Sequence, residues 1–157
     1  MSHDLLRAHG VLLLLIDGPE DVVAARRAAA HAKQTGTRVL AVVLLPASVG
    51  PLDAGTTTGS TARVRQDAAA VSARVQPVVS SYDVPLTAVP LLLPRGRARW
   101  TRWRLRRTLR LLAGRSGAEL VVVPARHIFG FAPQAVAALV PGGVVAHATG
   151  ATRASPL

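Results

Sequence analysis

The chain contains no cysteine, one lysine and only five aromatic residues among 157. Without cysteine there can be no disulfide, no thiolate metal site and no cysteine nucleophile. That absence suits a reducing cytoplasm, where the protein is expected to reside. Apolar runs are short: Val11–Ile16 spans six residues, whereas a membrane-crossing helix takes about 20. His3, Asp4, Arg7 and His9 precede that run, so a cleaved export signal is not expected at this end. Dinucleotide, Walker-type and G-x-S-x-G signatures are all missing. His3, His9, His31, His127 and His147 lack metal-ligand spacing, and Ser60, Ser80 and Ser81 have no histidine nearby in sequence. No metal, no catalytic residue and no enzymatic activity are expected.

What is present is a chain that is 50% apolar, dominated by Ala, Val and Leu. Such residues make a core of small aliphatic layers, and the length fits a single domain over 1–157. Continuous apolar runs fit strands buried on both faces, as in parallel sheets. These are expected at Val11–Ile16, Arg38–Leu45, Glu119–Val123 and Val144–His147. A further strand, Val84–Leu93, carries Pro85 and Pro90 and therefore belongs at a sheet edge. Helical spacing falls on Val22–Thr35, on Val64–Tyr82 with an early end or kink at Pro77, on Ala98–Ala113 and on Pro133–Val140. Residues 46–60, rich in Gly, Thr, Ser and Pro, are expected to form a flexible loop, and 150–157 a tail. Asp21, or the acidic residues beside it, is expected to cap the first helix. Strands alternating with helices imply an open five-stranded parallel sheet in an α/β fold, with helices on both faces.

Three segments in this order resemble the universal stress protein family over roughly residues 9–149. They are Leu13–Gly18 (LLLIDG), Gly117–Val123 (GAELVVV) and Ala138–Val145 (ALVPGGVV). The resemblance implies a Rossmann-like sheet of strand order 3-2-1-4-5 and a homodimer joined through the last strand, 144–149, including Val144 and Val145. In ATP-binding relatives a glycine-rich turn follows the fourth strand. Here Pro124 and His127 stand at the first two glycine positions, and Ala137–Ala138 near the last. Proline has no N–H to offer a phosphate. No cofactor is therefore expected, and ATP or AMP remains the lesser reading.

The crevice beyond the C-terminal strand ends is the general ligand site of such sheets. Asp17, Gly18, Leu45, Arg126, His127 and Gly130 are the candidates around it, with Arg126 meeting an anion and Asp17 a ribose hydroxyl. The plainer alternative is that Asp17 buttresses the first loop and pairs with Arg126.

Charge is concentrated in one place. Residues 95–115 hold nine arginines and no acid, within a formal net charge of +11 for the chain. At 100° per residue, Thr101, Leu105, Thr108, Leu109 and Leu112 fall on one side of a helix, with Ala98 at its start. Trp100, Trp103, Arg104, Arg107, Arg110 and Leu111 fall on the other. That side could meet a second copy of the protein, so that pairing through this helix stands equal to pairing through the last strand. It could also meet another protein partner, nucleic acid or an anionic membrane surface, or stay solvated with indoles lying over arginine stems.

Overall fold

The computed structural model describes residues 9–46, 57–93 and 98–147. Its elements alternate along the chain: β1 (His9–Leu15), α1 (Glu20–Thr35), β2 (Arg38–Pro46), α2 (Thr57–Ser80), β3 (Leu86–Leu93), α3 (Ala98–Ser116), β4 (Leu120–Pro124), α4 (Pro133–Ala137) and β5 (Gly143–Ala146). The strands form one sheet in the order β3-β2-β1-β4-β5, and every pairing is parallel. The expected strand order, edge position for β3 and two-sided helix cover are all found.

Alternation along β1 and β2 divides the core into two layers. Leu13, Leu15, Ala41 and Val43 face α1 and α2, whereas Leu12, Leu14, Leu40 and Val42 face α3 and α4. Because both faces are covered, β1 from Val11 to Leu15 is wholly buried. Each leucine removed from water this way contributes about 1.5–3 kcal/mol. On α1 the inward residues are Ala24, Ala25, Ala28, Ala29 and Ala32. Side chains this small on the packed face let a helix approach a sheet closely. The opposite layer is filled by Leu105, Leu109, Val136, Leu139 and Val140.

Several boundaries differ from expectation for identifiable reasons. α2 does not end at Pro77 but continues to Ser80. Pro77 is exposed, and Val75 and Val79 on either side are fully buried against the sheet, so packing holds the turn that lacks one backbone bond. α3 continues past Gly114 to Ser116, whose hydroxyl donates to the Leu112 carbonyl at 2.7 Å. α4 is shorter than expected, ending at Ala137. Residues 57–60 are helical, whereas 47–56 of the expected loop, the 150–157 tail and 148–149 of the expected dimer strand lie outside the described residues.

Candidate functional site

Strands are added to one side of β1 up to β3 and to the other side from β4 onward, and this switch in strand order opens a crevice at the C-terminal ends of β1 and β4. The loop after β1 forms one wall. Asp17 adopts a left-handed conformation (φ 60°), which short polar side chains tolerate better than bulky ones. Asp21 holds the loop in that shape. Its carboxylate accepts hydrogen bonds from the backbone N–H groups of Ile16 (3.1 Å), Asp17 (2.9 Å) and Gly18 (3.3 Å). Asp21 is thus a loop clamp; α1 starts after Pro19 with no side-chain cap.

Burial pushes the Asp21 carboxyl above its ordinary value of 3.8, and the three N–H donors and the charge of Arg74 only partly offset this. The folded state therefore holds the proton more tightly than the unfolded chain. The stabilisation from this is fully present below 3.8 and is lost as pH rises through the raised folded value. The melting temperature of the wild type minus that of Asp21→Asn should narrow as pH climbs through this window. A gap that widens with pH would show the carboxyl to be held below its ordinary value instead.

Two ion pairs flank the loop. Arg74 of α2 reaches Asp17, and Arg126 after β4 lies 3.7 Å from Glu20. The expected Asp17–Arg126 pair is not formed, because Asp17 points toward α2 and Glu20 lies nearer the guanidinium. A Cβ built on Gly18 would stand 2.8 Å from both Arg126 Nη1 and Glu20 Oε2. The bare backbone at Gly18 leaves the room in which these charges meet.

The opposite wall is the turn after β4. Ile128 and Phe131 donate their backbone N–H groups to each other's carbonyls, each at 2.9 Å. Phe129 and Gly130 lie between them with φ of 50° and 84°, the positive values that a tight two-residue hairpin turn requires. Gly130 supplies this conformation freely, whereas Phe129 adopts it against its side chain's preference. The Arg126 N–H is donated to the Pro124 carbonyl at 2.8 Å.

Between the walls is a cleft of about 260 Å³ lined by Ile16, Asp17, Leu44, Pro46 and residues 126–129. Of the residues expected here, Asp17, Arg126 and His127 line it, and Gly18 sits beside them. Leu45 does not. It packs in the α1–α2 layer, and its neighbours Leu44 and Pro46 face the cleft, because successive strand residues point to opposite sides. Gly130 shapes the hairpin without lining the cleft; Phe129, 41% exposed, takes that place. Among the described residues no cluster of three or more histidines and acids could hold a metal ion.

The second candidate surface is the outer side of α3. Thr101, Leu105 and Leu109 are buried against the sheet, and Trp100 and Trp103 are 58% and 53% exposed, as the helical spacing predicts. Each indole carries a guanidinium over its ring, Arg104 on Trp100 at 5.8 Å and Arg107 on Trp103 at 5.3 Å. Arg110 is partly tethered, its Nε donating to the Leu139 carbonyl at 3.2 Å. Val144 and Val145 lie half-buried on β5, which pairs on one side with β4 and forms the sheet's other edge. No described helix is long and apolar enough to cross a membrane.

No protein-family model and no curated protein sequence matches the chain. Solved structures do. A universal stress protein from Archaeoglobus fulgidus superposes with a TM-score of 0.53 at 16% identity, covering 87% of this chain and 90% of its own. A universal stress protein solved in complex with cAMP gives 0.56 at 14% identity, covering 89% and 98%. In both, nearly the whole length is shared while few residues are. The chain has the α/β fold of the universal stress proteins.

Proposed function

We propose that this is a cytoplasmic, non-enzymatic member of the universal stress protein family that works by binding other proteins, as a homodimer joined along β5, and does not take ATP in the family manner. The observation that carries this reading is the turn after β4. Its Ile128 and Phe131 N–H groups are committed to their own hairpin, the Arg126 N–H to Pro124, and Pro124 has none. Backbone donors turned toward a polyphosphate are what a phosphate cradle consists of. Ser72 and Ser116 donate to carbonyls of their own helices and Ser81 donates back to Val78 in the last turn of α2, which supports a non-catalytic reading.

A smaller anion is the second reading, favoured by Arg126 and His127, both exposed, at the mouth of the cleft. The cAMP carried by one structural neighbour points the same way. Thermal melts with millimolar ATP, AMP and cAMP separate the two. No shift is expected with ATP. A ligand at 100 times its Kd adds about 2.7 kcal/mol, a rise of roughly 5–10 °C for a domain of this size. Such a rise with ATP would overturn the first reading. A rise with cAMP that Arg126→Ala removes would establish the second.

A further inference from the structure

The outer face of α3 is left unexplained by the cleft and by the sheet edge. Its seven arginines face no acid on the helix itself, and among the described residues the ion pairs are Arg74–Asp17 and Arg126–Glu20. A concavity of about 320 Å³ is lined by Trp103, Arg106, Arg107, Arg110 and Leu111, so apolar and cationic groups share its surface.

Three occupants can be compared on this geometry. A second copy docked about a twofold axis on this face would set arginines against arginines. The chain has only eight acids to answer nineteen basic residues, and Asp17, Glu20 and Asp21 are already engaged. A lipid surface needs a continuous apolar face. Here Trp100, Trp103 and Leu111 are interleaved with guanidinium groups, and Leu105 and Leu109 fasten the helix to the sheet. Among the described residues the other exposed leucine, Leu92, follows the strand alternation to the opposite side from α3. A polyanion carrying flat apolar rings satisfies both halves of the surface at once.

We propose that this face binds single-stranded nucleic acid, with bases stacked on Trp100 and Trp103 and phosphates held by Arg104, Arg106 and Arg107. A guanidinium already lies against one face of each indole, which leaves the other face for a base. Base–aromatic stacking and backbone neutralisation together are how single strands are held without sequence reading. Duplex would present its phosphates but keep its bases stacked away from the indoles.

The two tryptophans are the only ones in the chain, so all indole emission reports on this face. Titration with oligothymidylate and oligouridylate of roughly 20 nucleotides should quench that emission, with an affinity that falls steeply as salt rises. Trp103→Ala should weaken binding about tenfold or more, and Trp103→Phe should restore much of it. Replacing Arg104, Arg106 and Arg107 by Ala should flatten the logarithmic salt slope by about two, at roughly 0.7 per phosphate. Circular dichroism would confirm that these surface variants remain folded. The proposal is overturned by absence of binding at low salt, or by equal binding of duplex with unchanged emission. It is also overturned by blue-shifted emission on phosphatidylglycerol vesicles with no response to oligonucleotide.

Discussion

Gly143→Ala is expected to lower the melting temperature by about 6–12 °C, corresponding to roughly 3 kcal/mol of lost stability. Gly143 opens β5, directly beneath the end of α4. A Cβ there would stand 2.7 Å from the carbonyl carbon of Ala137 and closer still to its oxygen. The opposing atoms belong to the backbone, so no rotamer change can relieve the overlap. Either α4 lifts away from β5 or β5 leaves β4, and both expose the layer formed by Val136, Leu139 and Val140. Gly114→Ala makes an informative companion. Gly114 lies in α3 with open space where its Cβ would be, and alanine there should gain about 0.5–1 kcal/mol from helix propensity alone. Thermal melts of the two variants should thus move in opposite directions. A Gly143→Ala protein that melts with the wild type would mean that α4 does not lie against β5.

Asp21→Ala should cost about 2–4 kcal/mol, a fall of roughly 4–16 °C. Alanine leaves the N–H groups of Ile16, Asp17 and Gly18 without the acceptor they share, in a place where Asp21 itself is only 2% exposed. Losing the clamp should also free Asp17 from its left-handed turn and so loosen its pairing with Arg74. Hydrogen exchange at the Ile16, Asp17 and Gly18 amides should accelerate by more than exchange in β1. If those amides keep wild-type protection, the loop is held by something other than this carboxylate.

Much of this architecture could be read from the residues. The unbroken runs around Leu13, Val42 and Val122 declare strands covered on both sides, and the helical spacing around Leu105 and Leu109 places both tryptophans outward. The same unbroken runs concealed other things. In a strand where every residue is apolar, nothing in the pattern tells which of Leu44 and Leu45 faces the crevice; only the register of the sheet decides. Asp21 could be recognised as an acid at a helix start, the usual place of a cap, but its side chain turns back along the chain to the preceding loop. The pairing of Arg74 with Asp17 spans 57 residues, and no local rule couples positions so far apart. The hairpin at Phe129–Gly130 lacks the Asn-Gly or Asp-Gly that advertises such a turn, so the conformational part that Gly130 plays there is not legible in the residue pattern.

The two rims of the sheet have a consequence for assembly. On one flank Pro90 interrupts the row of donors that an incoming strand would need; on the other, β5 offers a ladder of just four residues. Strand addition is therefore closed off at the proline flank and brief at the other. Any union at β5 stops at a pair instead of propagating into a fibre, and it must draw most of its strength from side chains around the seam.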